Sequence, residues 1–185
     1  MNKIRHQATS RDSLYEDISR NLETIFSLWE AGDKSLRFTI PILCAAKLEA
    51  FINVAGKLKV KHWDILERKL SFNEKCQIVF SSACLIFDSS SEPNKTAIAI
   101  FEIRNSLVHP KMKLKEIDEF ITQDEYQRRS GSYIGELHQL RSELKPEKVT
   151  ILKNACDKFV TDWGNMLLDD EPEYWLSGGS TGTFT

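Results

Sequence analysis

Three residues with the chemistry to handle phosphate and protons lie close together near the middle of the chain: Arg104, Asn105 and His109. Helical spacing puts Arg104 inside the apolar arc of a predicted helix, and Asn105 and His109, four residues apart, on a neighbouring face. A conflict between local polarity and a core-facing position is expected at functional or strained sites. Imidazole both gives and takes protons near neutral pH. A purely structural interpretation stays open, with Arg104 paired to a carboxylate and His109 stabilising the helix C-terminus.

A second polar pair interrupts an otherwise apolar helix upstream. Glu49 and Asn53 are four residues apart and therefore share one helical face. Burying a guanidinium without a counter-charge is prohibitive. We therefore predict that Glu49 neutralises Arg104 across the bundle, with Asn53 supporting the same site.

Basic residues follow directly after His109, at Lys111, Lys113 and Lys115. Residues 104–115 contain no acidic residue, and residues 57–69 form a second stretch in which basic residues outnumber acidic ones. These stretches are the local candidates for a phosphate-binding surface. The net charge of −2 and the pI of about 6.1 exclude a globally basic nucleic-acid binder.

The segment FEIRNSLVHPK, residues 101–111, resembles the signature of HEPN domains, in which an Arg and usually a polar residue precede a His by a few positions. Here the signature is Arg104-Asn105-Ser106-Leu107-Val108-His109, at the end of an amphipathic helix and followed by Pro and Lys. Upstream, residues 47–53 and 63–70 are similar to helices that precede the signature in some members. The resemblance spans about residues 36–113 and is compatible with a long helix after it.

The resemblance implies a helical bundle that forms a homodimer and brings two signatures together in a cleft. Many HEPN domains are metal-independent endoribonucleases of toxin–antitoxin or defence systems, so RNA and an antitoxin or other partner protein are the implied partners. By resemblance, Arg104 holds the scissile phosphate, Asn105 positions the reacting groups, and His109 is the general acid or base for 2′-hydroxyl attack. No metal or cofactor is expected. The alternatives are a non-catalytic HEPN-like nucleotide- or RNA-binding, sensor or scaffold module, and a plain helical interaction protein.

Hydrophobic periodicity predicts helices nearly throughout, and no strand pair is evident. The expected fold is all-α, an up-and-down HEPN-like helical bundle in one domain at 12–169, with a flexible N-terminus at 1–11. An irregular segment at 111–135 and an acidic, then Gly/Ser/Thr-rich flexible tail at 170–185 complete it. The predicted helices are 12–31, 36–60, 63–70, 71–87, 93–109, 134–144 and 146–167.

Composition limits the class of protein further. The chain has 185 residues, of which 41% are hydrophobic and 28% charged, as in an ordinary globular domain. The longest strongly apolar run, 40–46, is far shorter than the about 20 residues of a membrane span, and the N-terminus lacks the apolar stretch of a secretory signal. No C-x-x-C pair is present, so Cys44, Cys76, Cys84 and Cys156 are expected to be buried reduced thiols of a cytoplasmic protein.

Overall fold

The computed structural model describes residues 6–11, 14–109, 122–124, 144–168, 176 and 179–184. The core of the described chain is a bundle of helices, which confirms the predicted all-α fold class. A 3₁₀ turn, Lys34–Phe38, leads into the second helix. The helices are α1 Leu14–Glu30, α2 Thr39–Lys59, α3 Trp63–Leu66, α4 Phe72–Ser82, α5 Asn94–Val108 and α6 Pro146–Leu167.

Helix α2 occupies the centre of the bundle and contacts α1, α4, α5 and α6. Its sequence explains this position, because apolar residues occur on most sides of the helix and only neighbours on several sides can cover them. Leu48, Phe51 and Ile52 are fully buried. Near its end, Gly56 lies against the indole of Trp63, where a Cβ atom would overlap the ring. The close approach of α3 to α2 therefore requires glycine at this position.

The segment Lys34–Lys59 is long and apolar enough to cross a membrane by length and composition alone. About half of this stretch is buried within the protein. The central helix of a bundle can be as long and as apolar as a membrane-spanning helix. The central position of α2 in this bundle accounts for its length and its apolar content.

Local signals explain where α4, α5 and α6 begin. Ser71 forms a capping box with Glu74 at the start of α4, as its sequence predicts. Helix α4 ends at Ser82 rather than near residue 87, because the chain turns at Cys84 with a φ of 57°. Helix α5 follows Pro93 and ends before Pro110, and Pro146 occupies the first turn of α6.

The two ends of the chain form a strand pair, whereas the sequence predicted none. Residues His6–Arg11 form strand β1, which pairs antiparallel with strand β2, Gly179–Phe184. Their alternating hydrophobicity is too weak to mark strands, and the partners lie at opposite ends of the chain, where no turn signal connects them. In the tail, Leu176 is buried against the core rather than free. The segment predicted as irregular, 111–135, and the short helix predicted at 134–144 lie almost entirely outside the described residues.

Candidate functional site

A pocket of about 280 Å³ opens between α2, α4 and α5. Arg104 and Asn105 from α5 and Glu49 from α2 all line it, so the fold gathers three of the predicted site residues. Ser71, Asn73 and Glu102 add three polar groups to the lining. Its apolar wall consists of Leu70, Phe72, Ile98 and Phe101. The pocket therefore combines an aromatic and aliphatic wall with a small set of charged and amide groups, as ligand sites do.

Arg104 is partly exposed and lacks a carboxylate partner among the residues that the structure describes. Its Nη1 donates to Oδ1 of the adjacent Asn105 over 2.9 Å. This bond to a neutral amide leaves the positive charge uncompensated. A partly exposed guanidinium without a counter-charge is suited to bind an anion from solution.

The predicted ion pair between Glu49 and Arg104 is wrong. Although both side chains line the pocket, Glu49 Oε1 accepts from Lys75 Nζ over 2.7 Å. Lys75 belongs to α4 and is almost fully buried, whereas the Glu49 side chain is 42% exposed. The buried ammonium has the greater need of a counter-charge, because its desolvation is nearly complete. Arg104 retains contact with water.

Lys75 was missed in the sequence although a signal for it exists. It lies in a stripe with Phe72, Cys76 and Val79, at the i, i+3, i+4, i+7 spacing of a core-facing helical surface. A lysine within such a stripe requires a buried acid on a neighbouring helix. Glu49 on the apolar α2 could be the counter-charge of either Lys75 or Arg104, and the spacing in the sequence does not decide between these two partners.

Two asparagines have a buried side-chain oxygen without a hydrogen-bond partner in the described structure. They are Asn53 on α2 and Asn73 near the start of α4. Of the two, Asn73 lines the pocket, whereas the lining does not include Asn53. The structure therefore does not bring Asn53 to the pocket as a supporting residue and provides Asn73, which the sequence did not single out.

His109 is exposed and ends helix α5. Its backbone N–H donates to the carbonyl oxygen of Asn105 over 2.9 Å, which closes the last turn. The imidazole makes no hydrogen bond or ion pair within the described residues. It is not part of the pocket lining. Lys111, Lys113 and Lys115, predicted to bind RNA phosphate, lie outside the described residues.

A second buried cation lies on the other side of α2. Lys47 Nζ contacts Asp157 Oδ1 over 2.8 Å, and Lys153 bridges Asp157 and Glu23 at 2.7 and 2.9 Å. Burial by itself opposes the charged form of Lys47, but the hydrogen bond that Lys47 donates to Asp157 and the nearby charges outweigh it, so the pKa of Lys47 is raised. This network ties α1, α2 and α6 together and lies apart from the pocket lining.

The cysteine prediction holds for three of the four residues. Cys44, Cys76 and Cys156 are buried and free, whereas Cys84 is free but exposed at the end of α4. Burial raises the pKa of the Cys76 thiol. The pKa of the Cys44 thiol is also raised, first by its hydrogen bond with Cys156 and then by burial. No group of three or more His, Cys, Asp or Glu side chains placed to hold a metal occurs among the described residues.

No family model, no curated protein and no solved structure matches this chain.

Proposed function

We propose that this protein is a HEPN-like, metal-independent endoribonuclease whose phosphate-binding group is Arg104. The observation that carries the proposal is Arg104, which lines a pocket with its charge unpaired among the described residues and with Nη1 hydrogen-bonded to Asn105. A cation fixed against phosphoryl oxygens stabilises the charge that develops during transesterification. The nearby α5 terminus presents an exposed imidazole one and a half helical turns away.

The proposed reaction is attack of an RNA 2′-hydroxyl on the adjacent phosphorus. The P–O2′ bond forms and the P–O5′ bond breaks, giving a 2′,3′-cyclic phosphate and a free 5′-hydroxyl. A general base takes the proton of the 2′-hydroxyl, and a general acid gives a proton to the departing O5′. His109 performs one of these transfers, while Arg104 holds the non-bridging oxygens. DNA lacks the 2′-hydroxyl and is spared.

We propose a homodimer as the active unit. The signature supplies one imidazole per chain, whereas the reaction uses a base and an acid. Two α5 termini facing each other across a two-fold axis would provide both. The exposure of His109 and of Val108 beside it is compatible with such a contact. By analogy with the family that the signature resembles, we propose a cytoplasmic toxin or defence effector controlled by a partner protein. The absence of disulfides among the four cysteines supports a reducing compartment.

The test is an RNA-cleavage assay on the purified full-length protein. Wild type should cleave RNA equally well with and without EDTA and leave cyclic phosphate ends. Arg104→Ala and His109→Asn should each lower the rate by about 100-fold or more. The matched control is Arg20→Ala, because Arg20 is an exposed arginine of α1 paired with Glu16, and it should cleave normally. Folded wild type that cleaves no RNA across a broad set of substrates would refute the nuclease.

A second candidate function is a non-catalytic HEPN-like nucleotide- or RNA-binding module. It is favoured by one observation, that His109 is absent from the lining of the pocket that contains Arg104 and Asn105. A binding module needs the fixed cation but not the proton transfer. Binding of RNA that is lost in Arg104→Ala, unchanged in His109→Asn and unaccompanied by cleavage would identify this function.

A further inference from the structure

We propose that Phe101 is a stacking surface for the base of the nucleotide whose phosphate Arg104 holds. The inference rests on the proposed function, because the phosphate contact of Arg104 determines where the attached base lies. It adds a residue that contacts the substrate through the base rather than through the phosphate. The contact selects for a flat aromatic ring and not for one particular base.

The Phe101 ring is held in place from the side of the core. It is stacked on the ring of Phe72, with the two centroids 4.0 Å apart and an angle of 11° between the planes. Phe72 is buried, and its ring centroid lies 6.0 Å from that of Phe159 in the core. Phe101 itself is partly exposed. Because Phe72 covers one face of the Phe101 ring, the accessible part of that ring is its other face or its edge, and aromatic rings pack well in both arrangements.

Phe101 and Arg104 are neighbours on one side of α5. They are three residues apart, so their Cβ atoms are separated by about 5–6 Å in a helix. Both residues line the pocket between α2, α4 and α5, and Leu70 and Ile98 contribute to its apolar lining. A base is joined to its phosphate through a single sugar, so one nucleotide can contact both side chains. The pocket volume of about 280 Å³, at the small end of ligand sites, suits one base.

The acidic side chains of the lining leave Arg104 available to phosphate. Glu49 is paired with Lys75 over 2.7 Å, and Glu102 is exposed to water. Neither of these acids forms an ion pair with Arg104 within the described residues, and the printed contact of Arg104 is with the neutral Asn105. The pocket therefore offers a cation for the phosphate and an aromatic ring for the base. Proteins hold unpaired nucleotides by this combination of contacts, and because every base has a π face, the stacking contact tolerates all four bases.

The experiment compares the binding of AMP and of ribose 5-phosphate to the full chain by isothermal titration calorimetry. Ribose 5-phosphate carries the same sugar and phosphate as AMP but has no base. AMP should bind at least about fivefold more tightly, which is the effect of stacking one base on an aromatic side chain. Phe101→Leu, which keeps an apolar side chain next to Phe72 but removes the ring, should reduce this ratio to about two or less. Phe101→Tyr should keep the ratio of the wild type, because it keeps the ring.

Phe87→Leu is the matched control. Phe87 is also partly exposed and packs against a buried ring, that of Phe80 at 4.9 Å, but it is not part of the pocket lining. This variant should keep the ratio of the wild type. Arg104→Ala should weaken the binding of both ligands by a similar factor, since both carry the phosphate. Each ratio is measured within one variant, so a lower fraction of folded protein affects both ligands equally.

Equal affinity of the wild type for AMP and ribose 5-phosphate, or no binding of AMP, would overturn the inference. An undiminished preference for AMP in Phe101→Leu would overturn it as well, since the base would then contact another residue. A preference of more than about 100-fold for one of the four nucleoside monophosphates would also overturn it, because stacking tolerates every base. RNA cleavage by a wild type that binds the two ligands equally counts against this inference alone. Base-dependent binding by a protein that cleaves no RNA supports the stacking contact and refutes only the nuclease.

Discussion

Replacement of Asp157 by Asn should destabilise the protein far more than other losses of a surface carboxylate. Asp157 Oδ1 is the ionic partner of Lys47, whose side chain is only 8% exposed, and Asp157 Oδ2 contacts Lys153. Removing one member of a buried ion pair costs about 3–5 kcal/mol. Asp157 is itself 32% exposed and Lys153 keeps Glu23, and both facts reduce the loss. We therefore expect about 2–3 kcal/mol from Asp157→Asn.

The same helix provides the control. Asp162 pairs with Lys158 four residues earlier, and its side chain is 34% exposed, about as much as that of Asp157, whereas Lys158 is 62% exposed and keeps its hydration without a partner. Asp162→Asn should cost about 0.3–0.5 kcal/mol and less at high salt. Urea unfolding followed by tryptophan fluorescence measures both variants, and about 2–3 kcal/mol corresponds to a fall in Tm of roughly 4–12 °C for a chain of this size.

A third variant tests the mechanism rather than the size of the effect. If the instability of Asp157→Asn arises from an uncompensated Lys47 charge, adding Lys47→Met should recover at least about half of the lost free energy. The reasoning would be refuted if the loss of unfolding free energy in Asp157→Asn were within about 0.5 kcal/mol of that in Asp162→Asn. It would also be refuted if adding Lys47→Met to Asp157→Asn lowered the stability further.

Three further outcomes follow from the structure. Because folding raises the pKa of Lys47, charged Lys47 stabilises the folded state fully below the ordinary lysine pKa of about 10.4, and this stabilisation is lost as pH rises through the folded-state pKa. Urea unfolding at a series of alkaline pH values should show this loss of stability in wild type and a smaller loss in Lys47→Met. Gly56→Ala should cost about 1–3 kcal/mol in the same assay, since the new Cβ overlaps the buried Trp63 ring, and a neutral result would contradict that packing. Under native conditions a maleimide should label Cys84 rapidly, with mass spectrometry showing a single adduct, while unfolding should expose the buried thiols of Cys44, Cys76 and Cys156.

The candidate site was only partly predictable. Arg104, Asn105 and His109 were identified by residue type and helical spacing, and the structure places the first two at a pocket and the third exposed at the helix end. The partner of Glu49 was predicted wrongly, because two basic residues on neighbouring helices satisfy the same local pattern. Asn73 carries no sequence signal of its own, since a polar residue in the first turn of a helix is unremarkable in sequence.

The sequence by itself determined the helices and their buried faces. The stripes of α1 and α6, the capping box at Ser71 and the stop before Pro110 each follow from residues within one or two turns of one another, so nearest-neighbour chemistry suffices. Only the tertiary structure decided that Lys75 rather than Arg104 takes Glu49, and that Arg104 shares a pocket with Asn73. Those relations depend on which helices pack together and on their axial register. The competition for a counter-charge is settled by how completely each cation is removed from water.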